Sequence, residues 1–195
     1  MKSEFGGKRI VLGISGGIAA YKCCELIRLL VKGGADVRCV PTRAALMFVT
    51  PLTLQTLSRN PVCSDMFGLI EEREVGHISL ADGADLVVVA PATADIIAKV
   101  ACGICDDLLT TVICATRAPV VFAPSMNVNM WENRITRENV ARLSNLGYGF
   151  IEPAEGELAC GYEGKGRLPD PERIMVELGK FLQPAGAHRA RKVSK

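Results

Sequence analysis

Three stretches of the chain carry residues that could do chemistry. The first is Ala123-Pro124-Ser125-Met126-Asn127-Val128-Asn129-Met130-Trp131, where polar Ser125 and Asn127 lie among bulky apolar Met126, Met130 and Trp131. An apolar wall with a few placed polar groups is the composition of a small-molecule site. The alternative is a loop whose methionines and tryptophan plug the core, and composition does not separate the two. The second is His77, at the head of Gly76-His77-Ile78-Ser79-Leu80-Ala81-Asp82-Gly83-Ala84. Imidazole titrates near neutrality and is the commonest general base, but a histidine here also suits a helix cap or an exposed position. The third is Cys160, inside the glycine-rich run 152–169 with glycines at 156, 161, 164 and 166. So long a run without regular structure is functional or disordered. A loop presenting a thiol suits an active-site lid; an incidental surface cysteine is the alternative.

The elements that must position these residues read as alternating strands and helices. Residues 8–14 read as the first strand, Ser15-Gly16-Gly17-Ile18 as a turn, and a helix runs to about Lys32, where Gly33-Gly34 stop it. A helix N-terminus after a glycine turn offers free N–H groups to a phosphate, and small residues let a ligand approach the backbone; a plain tight turn is the alternative. The turn lacks the G-x-G-x-x-G dinucleotide pattern. The second strand, 36–40, leads into Pro41-Thr42-Arg43 rather than into an acidic ribose-binding residue. Hydroxyl and guanidinium groups suit phosphate, so a mononucleotide is expected rather than NAD.

Short helices are expected over 42–48 and 51–57, a short strand over 60–66 and a loop over 67–75. The His77 helix then leads into a strand over 85–90 that is apolar throughout from Leu86 to Ala90. Pro91-Ala92-Thr93-Ala94-Asp95 ends that strand with a hydroxyl at the next helix start. Asp106 and Asp107 open a helix over 108–116, and 119–123 is the strand that delivers the Ser125–Asn127 turn. A helix over 132–146, a short strand over 147–151 and a last helix over 171–182 complete the pattern. Residues 1–7 read as a loose leader, and 183–195 as a basic tail or truncated linker. Alternating elements with apolar strands predict an α/β fold: a three-layer αβα, Rossmann-like parallel sheet forming one domain over 1–183. In such a sheet, ligands bind outside the carboxyl ends of the strands.

Of the 195 residues 49% are hydrophobic but only 5% aromatic, so the core must be aliphatic. A net charge of +2 gives no reason to expect nucleic acid or a membrane as partner. No signal-peptide or membrane-spanning run appears, which makes a cytoplasmic protein the expectation. Of the eight cysteines, Cys23, Cys24, Cys39, Cys63 and Cys114 read as small core residues. Cys102-Gly103-Ile104-Cys105 is a C-x-x-C, but no second pair and neither His77 nor His188 completes a zinc spacing. No metal is expected.

Together these residues resemble the flavin-containing cysteine decarboxylases, from about Lys8 to Leu182. Pro124-x-Met126-Asn127-x-x-Met130-Trp131 matches the family's P-x-M-N-x-x-M-W motif, the His77 helix its catalytic-histidine motif, and Ala159-Cys160-Gly161 with Gly164-Lys165-Gly166-Arg167 its substrate-clamp loop. The resemblance implies bound FMN, held by Gly16, Gly17 and Ile18, by Thr42, Arg43 and Ala44, by Thr93, Ala94, Asp95 and Ile96, and by Ser125. The family usually carries Asn where this chain has Asp95, and a carboxylate beside an anionic cofactor repels it unless paired or turned away.

The implied substrate is 4'-phosphopantothenoylcysteine, decarboxylated through thioaldehyde and ene-thiol stages to 4'-phosphopantetheine in coenzyme A biosynthesis. His77 would serve the oxidation and decarboxylation, Asn127 would bind the carboxylate, Met130, Ala159 and Gly161 would contact the substrate, and Cys160 would donate the final proton. The resemblance further implies a homotrimer, or a dodecamer built from trimers, and in bacteria frequent fusion to a second enzyme. The alternatives are a peptidyl-cysteine decarboxylase, a regulatory subunit on the same fold that has lost catalysis, and a nicotinamide-dependent oxidoreductase.

Overall fold

In the computed structural model, which describes residues 4–66, 69–70, 74–157 and 163–182, strand β1 (Arg9–Ile14) leads through a short 3-10 turn (Ile18–Lys22) into helix α1 (Cys23–Lys32). There follow β2 (Asp36–Pro41), a 3-10 turn (Ala45–Met47), α2 (Pro51–Ser58), and a small antiparallel hairpin of β3 (Leu69–Ile70) and β4 (Glu74–Val75). The chain continues through α3 (Gly76–Gly83), β5 (Leu86–Ala92), α4 (Ala94–Cys102), α5 (Leu108–Ala115), β6 (Val120–Pro124), α6 (Val128–Glu132) and α7 (Arg134–Asn145). It ends with β7 (Gly149–Phe150), a hairpin of β8 (Ala154–Glu157) and β9 (Glu163–Arg167), and α8 (Pro171–Leu182).

Five strands form one parallel sheet in the order β2-β1-β5-β6-β7. The connection leaves β1 toward β2 on one side and returns to β5 on the other. The order therefore reverses between β1 and β5, which is where an open α/β sheet forms its ligand crevice. Every residue of β5 and of β6 is buried, as expected for strands covered on both faces.

The alternation along the strands divides the core in two. Ile10, Leu12, Ile14, Val37, Cys39, Leu86, Val88 and Val121 meet α1, α2 and α8 on one face. Val11, Val40, Val87, Val89 and Phe122 meet the helices α3, α4, α5 and α7 on the other. The expected three-layer αβα sandwich is the observed fold. No helix among the described residues is long and apolar enough to cross a membrane.

Helix ends follow local chemistry. Thr50 caps α2 ahead of Pro51, Thr93 caps α4, and Asp107 with Thr110 forms a reciprocal capping box on α5. Gly103 closes α4 with φ of 72°, a left-handed conformation that glycine adopts without strain.

Several expectations fail for reasons that lie outside local sequence. Residues 60–66 form no strand: Asn60 instead donates from its amide to Asp36 Oδ1 at 2.8 Å and the Val37 carbonyl at 2.9 Å, and Cys63 N–H reaches the Cys39 carbonyl at 3.0 Å. These tethers occupy the β2 edge without building a ladder. The expected helix from Glu132 begins earlier, at Val128, and breaks at Asn133, whose side chain caps α7 by accepting from Ile135 N–H at 2.9 Å. The run 152–169 is not without structure but holds the β8–β9 hairpin, and part of the expected 67–75 loop holds β3 and β4.

The described part of the expected leader, residues 4–7, is tied down as well. Phe5 is buried in the core and Gly7 N–H donates to the Gly34 carbonyl at 2.9 Å. Cys114, expected inside, is exposed because it lies on the solvent stripe of α5; Cys24 and Cys63 are half-buried, whereas Cys23 and Cys39 are buried. The expected tail, 183–195, lies outside the described residues.

Two outcomes follow from this packing. Leu12→Ala, in the centre of the sheet with no exposed surface, should lower the unfolding free energy by about 2–5 kcal/mol in chemical denaturation. Burial pushes the Cys39 thiol up to about 12, softened by a hydrogen bond with Ser58 and raised further by the neighbouring Cys63 and Cys24, and burial also raises Cys23. In a native-state titration with a disulfide reagent near pH 8, Cys23 and Cys39 should stay unmodified while exposed Cys102 and Cys114 react.

Candidate functional site

The site is assembled at the switch point by one hydroxyl. Ser15, the residue after β1, is 2% exposed. Its Oγ donates to the Pro91 carbonyl at 2.7 Å and accepts from Thr93 N–H at 2.9 Å. The same bridge joins the end of β1 to the end of β5 and fixes the start of α4. Gly16 follows, and a side chain there would collide with Ala44, whose carbonyl carbon lies 2.9 Å from the position of a Cβ. This close approach brings the Thr42–Ala44 turn against the Gly16–Gly17 turn. Thr42 N–H donates to the Ile14 carbonyl at 2.9 Å, and its Oγ1 accepts from Ala45 N–H at 3.2 Å. The carboxyl ends of β1, β2 and β5 are thereby locked together, and because the strands are parallel the end of β6 lies on the same edge.

At that edge Gly17 is extended with little above it, Ile18 is exposed, and Thr42 and Thr93 are half-buried. Arg43 and Ala44 are exposed, and Arg43 has no counter-ion among the described residues. Ala94 is half-buried in the first turn of α4; the Ile96 side chain is buried in the core, which leaves only its backbone at this edge. Asp95 is mainly exposed and pairs with Lys99 at 3.6 Å, and Lys99 also reaches Asp106 at 3.2 Å. Partial burial tends to lower the Lys99 ammonium, but the Asp106 hydrogen bond and the charges of Asp95, Asp106 and Asp107 outweigh it and hold the group above its ordinary value. The carboxylate expected to repel an anionic cofactor is thus balanced within its own helix.

The Ser125–Trp131 turn is docked from two sides. Ser125 N–H donates to the Ala92 carbonyl at 3.0 Å, and Met126 N–H donates to the Gly166 carbonyl at 3.0 Å. One bond ties the turn to the end of β5, the other to the β9 strand of the hairpin. Gly164, also on β9, has room for a side chain only at 3.0 Å from Val128 Cγ2, so the hairpin lies close on α6. Asn127 caps α6, its Oδ1 accepting from Asn129 N–H at 2.8 Å, which sets the direction of its amide. Met126 and Trp131 are buried while Met130 is 48% exposed. Two large side chains of this stretch thus plug the core, and a third stands out on the helix that Asn127 caps.

His77 is the second residue of α3 and half-buried. The His77 Nδ1 atom is buried and has no hydrogen-bond partner among the described residues. An orphaned buried ring nitrogen is costly unless something else satisfies it. Cys160, Ala159 and Gly161 lie outside the described residues; β8 and β9 place the two ends of their segment side by side.

Sequence reasoning overlooked Ser15 as the bridge and Ala44 as the wall behind Gly16. The signal for Ser15 was a lone polar residue ending an apolar strand; Ala44 gave none. The candidate cation-binding cysteines do not gather: no group of three His, Cys, Asp or Glu among the described residues is placed to hold a metal. Gly16→Ala should destabilise the fold by about 1–3 kcal/mol through overpacking against the Ala44 backbone, read as a lowered denaturation midpoint, and should weaken binding of any ligand at this edge.

Comparison with known proteins agrees with this geometry. The Flavoprotein family model matches residues 1–183. The coenzyme A biosynthesis bifunctional protein CoaBC of Vibrio cholerae is 52% identical over 181 residues, covering 93% of this chain and 45% of its own length. Its Bacillus subtilis counterpart is 51% identical over 168 residues, covering 86% and 41%. The chain therefore spans less than half the length of these curated relatives. Among solved structures, a PPC decarboxylase mutant complexed with pantothenoylaminoethenethiol superposes with a TM-score of 0.82 at 33% identity, covering 90% of this chain and 98% of that one. The FMN-dependent cysteine decarboxylase SpaF gives 0.80 at 28% identity, covering 94% and 99%. With the family model spanning nearly the whole sequence and relatives at half identity, this chain belongs to the Flavoprotein family.

Proposed function

We propose that this protein is an FMN-dependent decarboxylase that converts 4'-phosphopantothenoylcysteine to 4'-phosphopantetheine in coenzyme A biosynthesis, working in the cytoplasm. The observation that carries the reading is the docked turn. The residues of P-x-M-N-x-x-M-W are bonded on one side to the β5 end of the switch-point crevice and on the other to the hairpin that carries the Cys160 segment. Relatives at about half identity are coenzyme A biosynthesis proteins, which favours this substrate over a peptide ending in cysteine.

The residues present fit a flavin mononucleotide. Gly16 and Gly17 admit a ligand to the backbone, and Thr42, Thr93 and Ser125 offer hydroxyls along one edge. Arg43 stands without a counter-ion among the described residues, and α4 presents its N-terminus beside Thr93. Ile18, Ala44, Ala94, Asp95 and the Ile96 backbone complete the holding set. Bound FMN supplies a two-electron acceptor for the carbon that bears sulfur, which turns that carbon into an electron sink β to the carboxylate.

The protein's part is orientation and proton handling. The Asn127 amide donates hydrogen bonds to the substrate carboxylate and aims it for loss. His77, with a buried ring nitrogen lacking a partner among the described residues, serves as base and positive partner near the substrate thiol and carboxylate. Met130 packs the substrate chain, as Ala159 and Gly161 do from the clamp. The Cys160 thiol donates the proton that completes the product.

The active form is a homotrimer or a dodecamer of trimers. Exposed Ile18, Tyr21, Met47, Phe48 and Leu52 beside the cofactor turn support an apolar contact between copies, and light scattering on the purified protein tests it.

Purified protein should show oxidised-flavin absorption and release FMN on denaturation. A colourless protein that fails to take up added FMN would end this reading. His77→Asn should retain FMN yet lose at least about 100-fold in CO2 release, the lower range for a general acid–base group. Cys160→Ser should release CO2 and accumulate the oxidised ene-thiol; full product formation by that variant would remove Cys160 from proton donation.

A further inference from the structure

Trp131 is the only tryptophan in the chain. It is 3% exposed and shares a core cluster with Met126 and Phe122, although it belongs to a helix of only five residues. A helix that short has no stability of its own, so its geometry must come from what holds its side chains. Trp131 N–H donates to the Asn127 carbonyl at 3.0 Å. The backbone that carries Asn127 is therefore closed onto the residue that carries the indole.

The outer side of that indole is covered by Arg137 from α7, whose guanidinium carbon lies 4.6 Å from the ring centroid. Arg137 makes no ion pair among the described residues, in contrast to Arg134 on the same helix, which binds Glu138 at 2.7 Å. The Arg137 charge is directed at the ring. A cation held over an indole is among the stronger contacts of its kind, and a planar guanidinium also stacks on the ring, which an ammonium does not.

We propose that Arg137 is a positioning residue for substrate carboxylate binding: it seats Trp131, and Trp131 holds the single turn of α6 that presents Asn127 and Met130. The inference rests on the proposed role of Asn127 as the carboxylate ligand. Arg137 itself touches neither substrate nor reacting atoms.

The lone tryptophan makes the test direct. Flavin-loaded wild type, Arg137→Gln, Arg137→Lys and Asn127→Ala are compared for tryptophan emission, acrylamide quenching, flavin content, and KM and kcat of CO2 release from phosphopantothenoylcysteine. In Arg137→Gln the emission should shift to the red and quenching should increase. KM should rise about two- to fivefold with flavin content unchanged, the range that loss of a cation–π contact from an exposed guanidinium allows, and kcat should change less than KM. Arg137→Lys should fall between wild type and Arg137→Gln in both emission and KM.

A shifted emission with wild-type KM would show that Arg137 only shields the ring, and overturns the proposal. So does an unshifted emission, or a rise in KM matched by loss of flavin. A wild-type KM in Asn127→Ala would instead remove the carboxylate role of Asn127, separating failure of that reading from failure of Arg137.

Discussion

The structure depends on a single buried hydroxyl at the reversal of strand order. Ser15 Oγ gives its proton to the Pro91 carbonyl and takes one from Thr93 N–H. Parallel strands end in backbone groups that the ladder no longer satisfies, and in a covered sheet water does not reach them easily. Ser15 satisfies one of each kind at once. It also sets where Gly16 enters the crevice and where α4 begins, so the cofactor edge and the β1–β5 junction are one construction. A residue of this size and polarity is needed: a larger side chain would not fit at 2% exposure, and an apolar one would leave Thr93 N–H without this acceptor and the Pro91 carbonyl with only the longer 3.3 Å bond from Ser15 N–H.

The other side of the crevice is built by contact rather than by strand order. The β8–β9 hairpin is not part of the sheet. It reaches the site because the Gly166 carbonyl accepts from Met126 N–H and because glycine at 164 lets the strand lie on Val128. Lys22, from the 3-10 turn beyond Gly17, also reaches across to Asp170 at 3.2 Å, where the hairpin gives way to α8. β9 is thus tied to the Ser125–Met126 turn, and the residues that follow it to the 3-10 turn beyond Gly17.

Much of this architecture is legible in the order of residues. The alternation of Val-rich strands with amphipathic helices implies a parallel sheet covered on both faces, and the strand-end positions of Gly16, Thr42, Thr93 and Ser125 place them on one edge. The motifs around His77, Asn127 and Cys160 add the chemistry by resemblance. What local pattern misses has a common cause. Glycine-rich residues on both arms of the 152–169 run hide a hairpin, because its pairing comes from Ala154–Glu157 meeting Glu163–Arg167 and not from alternating hydrophobicity. Residues 60–66 look like a strand, yet their bonds go to Asp36, Val37 and Cys39 through a side chain and a single amide. Cys114 looks like core, but the helical phase of α5 turns it outward.

The sequence by itself determined the fold class, the order of the elements and the residue types available at each strand end, because periodicity, caps and turns are properties of neighbouring residues. Only the tertiary structure decided which of those ends meet, that Ala44 fills the space beside Gly16, that Lys99 balances Asp95, and that Arg137 covers Trp131. The Lys99 pair spans one helical turn and Arg137 reaches Trp131 from the next helix, while the others join elements far apart in the chain; the physical reason they escape the sequence is that burial and close approach arise only when separate elements share one space.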